Sequence, residues 1–139
     1  MKNIILILLS ALALCSCAAE RAYWRTDPVA AQKEAADENK PLLVLMSAPD
    51  CSACESNWMR IFCRQDFLSE ASRSCVPLFV SCPYQEPSSL CKEWREKYDA
   101  EPSPSLFIIE SDGSFKGTVP FPYGDSEKCL NSIKTLLAE

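Results

Sequence analysis

Cys51-Ser-Ala-Cys54 follows within a few residues of the apolar run Leu42 to Met46. Two cysteines separated by two residues at the start of a helix can close a small disulfide. The free N–H groups of the helix N-terminus then stabilise the first sulfur as a thiolate. Such a pair is suited to thiol–disulfide exchange, with Cys51 attacking and Cys54 within reach to resolve the mixed disulfide. The same spacing supplies half of many zinc sites. No second C-x-x-C accompanies it, so zinc held by this pair and two later cysteines is the minor reading, and no metal and no cofactor are assigned.

The chain has no histidine, which excludes Ser-His-Asp and Cys-His catalysis and every His-containing metal site. Cysteine, carboxylate, lysine, tyrosine and hydroxyl chemistry remain. Beyond the C-x-x-C, the domain carries Cys63, Cys75, Cys82, Cys91 and Cys129. Cys82 ends a predicted strand and Cys91 lies in the next predicted helix. The loop between them, with Pro83 and Pro87, lets the two meet in a local structural disulfide, the leading pairing. Cys63, Cys75 and Cys129 read as buried thiols, which behave as small apolar groups. Trp58, Trp94 and Phe107 read as core.

The N-terminus sets the compartment. A basic start at Lys2, an apolar run from Ile4 to Leu14 broken only by Ser10, and small residues from Ser16 to Ala19 form an export signal over residues 1–16, too short to span a bilayer comfortably. Leu14-Cys15-Ser16-Cys17 is similar to a bacterial lipobox, in which Cys17 becomes the lipidated first residue of an envelope protein anchored to a membrane. Cleavage after Ala19 into a soluble product is the alternative. About 120 residues follow, enough for one domain. Nineteen acidic residues face fourteen basic ones, a net charge of −5 that loss of Lys2 takes to −6. With no basic stripe, nucleic-acid binding is not expected.

The pair needs a scaffold, and the remaining pattern describes one. Asp27-Pro28 starts a helix through Glu38, and Asn39-Lys40-Pro41 ends it. Leu42 to Met46 reads as a central strand buried on both faces. A helix from Cys54 carries Trp58 and Phe62 on one stripe, and a short helical piece follows near Phe67 to Ser72. Val76 to Val80 is a strand whose Pro77 places its first residues at an edge or outside the ladder. Ser88 or Ser89 caps a helix with Leu90, Trp94 and Tyr98 on one face. Leu106 to Ile109 and Phe115 to Val119 flank an Asp112-Gly113 turn. Asp125 or Ser126 opens a last helix with Leu130, Ile133 and Leu137 on one face. Helices between the first strands and a hairpin after them give an α/β fold, a mixed central sheet flanked by helices on both faces.

Over residues 24–138 this order resembles the thioredoxin superfamily. Three stretches carry the likeness: Asn39 to Val44 as the lead-in to the central strand, Cys51 to Cys54 as the active-site motif, and Ser103-Pro104-Ser105 before Leu106 to Ile109 as the cis-proline segment. The helix ending in Asn-Lys-Pro is most similar to exported thioredoxin-like disulfide isomerases and thiol reductases. The resemblance implies a thioredoxin fold, with Cys51 as exposed nucleophile, Cys54 as buried resolving thiol, and Ser103-Pro104 as the peptide-binding segment. It also implies protein disulfides or thiols as substrates and a further redox partner. Two positions depart from the family. Leu45 stands where a buried aspartate commonly assists proton transfer to the second cysteine, and Asp50 replaces the usual tryptophan. Two classes of function follow: an envelope thiol–disulfide oxidoreductase, or a non-catalytic cysteine-rich structural or binding lipoprotein on the same scaffold.

Overall fold

The computed structural model describes residues 23–139, so the export signal and Cys17 lie outside the described residues. The apolar run forms β1 (Leu42–Ser47), buried from Leu42 to Met46. A strand without polar alternation must be covered on both sides, and its neighbours do this. The sheet has the order β2-β1-β3-β4, with β2 (Val76–Ser81), β3 (Ser105–Ile109) and β4 (Phe115–Thr118). β1 runs parallel to β2, from Leu42 opposite Val76 to Ser47 opposite Ser81. It runs antiparallel to β3, from Leu42 opposite Ile109 to Met46 opposite Ser105. β3 and β4 form the expected antiparallel hairpin, turning at Gly113, whose φ of 87° suits glycine.

Alternation along β1 divides the core. Leu43 and Leu45 face a cluster with Ile61, Phe62, Phe67 and Ile133. Leu42, Val44 and Met46 face a second cluster with Ala31, Ala35, Trp94 and Tyr98. The helices therefore segregate by face. α1 (Pro28–Glu38) and α4 (Ser89–Lys97) cover one side, while α3 (Gln65–Ser74) and α5 (Ser126–Ala138) cover the other together with the segment after Cys51. Each fully buried leucine contributes roughly 1.5–3 kcal/mol of transfer free energy.

Helix ends follow their caps. The Asp27 carboxylate accepts from Val29 N at 2.9 Å and Ala30 N at 3.1 Å, and Asn39 ends α1 in the left-handed region with φ of 51°. Ser88 caps α4 by accepting from Cys91 N, and Asp125 caps α5 by accepting from Lys128 N.

Pro77 shows why β2 tolerates an imide. Val76 N and Cys82 N donate toward β1, to Pro41 and Ser47 carbonyls. The alternate positions look outward, where Pro77 O accepts from Arg25 N at 2.9 Å and Phe79 N donates to Arg25 O at 2.8 Å. The missing N–H therefore falls on the outer edge and no ladder bond is lost.

One expected element differs. A single α-helix was expected to carry Trp58 and Phe62 in one stripe from Cys54. Instead α2 (Ser52–Asn57) passes into a π-helical turn, Trp58–Phe62, closed by Cys63 N donating to Trp58 O at 2.9 Å. The wider turn buries Ile61 and Phe62 side by side and leaves Trp58 half-buried. Phe62 O accepts from Trp24 Nε1 at 2.7 Å, which ties the start of the domain to this turn.

Candidate functional site

Cys51 is the N-cap of α2. Its backbone is extended, and its Sγ accepts from Cys54 N at 3.1 Å. The two cysteines are joined as a disulfide with Cα atoms 5.2 Å apart. Cys51 is half-exposed, Ser52 and Ala53 are exposed, and Cys54 is only 4 % exposed. The first cysteine is thus the more accessible of the two. An N–H aimed at Cys51 Sγ favours that sulfur as an anion once the bond opens.

Asn57 holds the far end of α2, and sequence reasoning missed it. This side chain is 4 % exposed; its Nδ2 donates to Ala53 O at 2.7 Å and its Oδ1 accepts from Gly124 N at 2.5 Å. Asn57 therefore clasps the helix to the loop before α5, where Gly124 has φ of 90°. No pattern in the sequence separates this asparagine from a solvated one, because its partner is 67 residues away.

The Ser103-Pro104 bond is cis. Because Met46 lies opposite Ser105 across β1 and β3, Pro104 starts β3 at the end of the sheet that leads into Cys51. Ser103 is buried and multiply held. Its Oγ donates to Cys82 O at 3.3 Å and accepts from Arg95 Nη2 at 3.3 Å, and its carbonyl accepts from the Tyr84 hydroxyl. Tyr84 and Arg95 had no role in the sequence reading. Their only signal was position, in the loop and helix that bracket Cys82 and Cys91. Those two cysteines are bonded to each other, Cα atoms 5.7 Å apart, and both are fully buried. In the chain-entropy account, closing so short a loop contributes about 2.7 kcal/mol.

Leu45 is 2 % exposed, opposite Leu106 on one side and Phe79 on the other. Its surroundings are apolar. Lys40 sits at the opposite end of β1, roughly 20 Å of strand away, paired with Glu38 at 3.1 Å. Asp50 is exposed on the turn before Cys51.

Cys54 opens onto a cleft of about 720 Å³ between residues 24–26, the ends of β1 and β2, and α2. Trp58, expected in the core, lines this cleft with Phe79, the two rings edge to face with centroids 5.5 Å apart. Thr26, Ser47, Ser81 and Glu55 supply its polar lining. Trp94 and Phe107 are buried in the second core cluster.

Burial pushes the thiols of Cys75 and Cys129 up to about 12, so at neutral pH they stay protonated and inert. Cys63 is half-buried, its sulfur 3.6 Å from Met59 O. Among the described residues no three His, Cys, Asp or Glu side chains converge to hold a metal, and no helix is long and apolar enough to cross a membrane.

No family model and no curated protein matches the chain. Solved structures do. A DsbH oxidoreductase superposes with a TM-score of 0.71 at 18% identity, covering 83% of each chain. A putative disulphide-isomerase from Bacteroides thetaiotaomicron gives 0.65 at 23% identity, over 82% of this chain and 91% of that one. The oxidised C-terminal domain of Neisseria meningitidis DsbD gives 0.61 at 16% identity, over 81% and 97%. A thioredoxin from Thermus thermophilus gives 0.65 at 14% identity, over 83% and 88%.

Proposed function

Starting from the thioredoxin fold of this chain, we propose that it is an exported thiol–disulfide oxidoreductase that reduces or isomerises protein disulfides through Cys51 and Cys54. The observation that carries this reading is the asymmetry of the pair: a half-exposed cysteine at a helix N-cap whose sulfur receives the Cys54 N–H, and a partner only 4 % exposed. The oxidoreductase and the putative disulphide-isomerase among the similar solved structures agree with it.

In the reductive direction the reduced Cys51 attacks one sulfur of a client disulfide as the thiolate. The client's other sulfur leaves with the bonding electron pair and takes up a proton. Cys54, after losing its proton, attacks Cys51 Sγ, closes the Cys51–Cys54 bond and expels the client's first sulfur. The client gains two electrons, which the pair recovers from a separate redox partner. Ser103 and Pro104 form the peptide-facing wall. Proline offers no N–H there, and Tyr84, Arg95 and Cys82 O hold Ser103 in place. Turnover runs toward reduction, isomerisation or oxidation according to the potential of the pair against that partner.

The test is insulin reduction with a dithiol donor, wild type against Cys51→Ser. We expect turnover in the wild type and none above background in the variant. Equal rates in both, or none in either, would favour the second reading, a binding or structural domain whose cysteines serve only as braces. The fully buried Cys82–Cys91 bond is the observation that favours a bracing role for at least one pair.

Export and anchoring belong to the same proposal, on the basis of the apolar run Ile4 to Leu14 and the Cys17 that follows it. A mature chain that begins at Cys17 and carries acyl mass is the expected product in a bacterial host. An unmodified chain beginning at Glu20 would replace the anchor with a soluble periplasmic form.

A further inference from the structure

Resolution of the mixed disulfide requires a proton to leave Cys54, and the side chain at position 45 cannot take it. Leu45 is apolar, buried, and packed among apolar neighbours. Lys40, just before β1, lies at the end of the strand away from Cys54 and is paired with Glu38. Cys54 instead meets solvent space through the cleft beside α2. Among the residues lining that cleft, Glu55 is the sole titratable side chain besides Cys54 itself.

The charged groups around the cleft are otherwise engaged or turned away. On the 24–26 segment, Arg25 Nε donates to Glu34 Oε2 at 2.9 Å and its Nη1 to Tyr23 O at 2.6 Å. At the start of α1, the Asp27 carboxylate caps Val29 N and Ala30 N. On the turn after β1, Asp50 is exposed and does not line the cleft. β1 and β2 contribute only the hydroxyls of Ser47 and Ser81 among polar side chains. Hydroxyls, a carboxylate and this volume give water both room and partners, and water carries a proton across a gap that a side chain does not span.

We propose that Glu55 is the proton acceptor for Cys54, through water in this cleft. The inference rests on the dithiol reading above. In the step, the Cys54 S–H bond breaks and its proton passes by water to the Glu55 carboxylate. The freed electron pair on Cys54 Sγ forms the bond to Cys51 Sγ, and the client sulfur departs with the pair from the broken Cys51–client bond. The departing thiolate, or bulk water, then recovers the proton from Glu55. The base thus acts from the solvent side of the helix, where a carboxylate costs no burial, and not from within the core.

The experiment uses the mature reduced protein and a single equivalent of the aromatic disulfide DTNB. Attack by Cys51 releases the first thionitrobenzoate and resolution by Cys54 releases the second. Glu55→Gln keeps shape and polarity but accepts no proton at neutral pH. We expect its second release to slow by at least about tenfold at neutral pH, with the first release little changed. The deficit should close as pH rises and hydroxide takes over the proton, and Glu55→Asp should recover most of the rate. A second release in Glu55→Gln as fast as wild type across the pH range overturns the proposal. So does an equal slowing of both releases, which would make Glu55 a charge acting on Cys51. A Cys51→Ser protein that releases both equivalents like wild type fails differently, since it removes the dithiol reading and leaves Glu55 nothing to serve.

Discussion

Cys54→Ala is expected to accumulate client proteins on Cys51 as stable mixed disulfides, with turnover falling to background. The variant keeps the half-exposed Cys51 at the N-cap and the backbone N–H of position 54 that points at its sulfur, so the first attack survives. It removes the thiol that would expel the client, so the intermediate has no intramolecular exit. The fold should tolerate the change, because trimming one small buried sulfur removes little volume, at a cost of about 1 kcal/mol. Non-reducing electrophoresis of envelope extracts, followed by mass spectrometry of adducts that dissolve with reductant, reads the outcome. If Cys51→Ala accumulates adducts and Cys54→Ala does not, the order of attack is the reverse of the one proposed.

The second large effect is on stability. Leu45→Asp should cost at least about 4 kcal/mol, since it loses a fully buried leucine, worth about 2–5 kcal/mol on truncation, and places a carboxyl in a dry cluster. That is a large fraction of a typical domain's net stability of about 5–15 kcal/mol. The sign of its pH dependence follows from burial. The apolar site favours the neutral acid, so the folded-state pKa rises above the unfolded value of about 3.9. Between those two values the folded state binds the extra proton, so stability falls as pH rises through the interval. The deficit against wild type should be smallest in mild acid and largest near neutrality, measured by urea titration at both. A deficit below about 1 kcal/mol with no pH trend would mean that position 45 is wet.

Much of this architecture was legible because it depends on local chemistry. Leu42 to Met46 has no polar alternation, which only a strand covered on both faces explains, and Asp27-Pro28 and the Asp112-Gly113 turn mark their boundaries with specific backbone requirements. Pro77 left an edge or a place outside the ladder open, because an imide cannot serve a ladder on both sides, and β2 takes the edge. What escaped depends on contacts distant in sequence. The π-helical turn at Trp58–Phe62 looks like ordinary helical spacing, because one extra residue in a turn leaves no compositional mark. Trp24, Asn57, Tyr84 and Arg95 are defined by partners 38, 67, 19 and 8 residues away, and a side chain's type does not reveal such a partner. The site was therefore readable as a motif and an ordering of elements, while the groups that hold it were not.

The brace between Cys82 and Cys91 also orders events in the life of the protein. Both residues are sealed inside the core, so an oxidant reaches the two thiols more readily before α4 has packed on the sheet than after it. A chain that matures where thiols are kept reduced would reach its final packing without that link. Its Cys82 carbonyl, which receives the Ser103 hydroxyl, would be less firmly placed at the wall beside Pro104. In the proposed reaction, the disulfide that is traded sits on a scaffold held by one that is not.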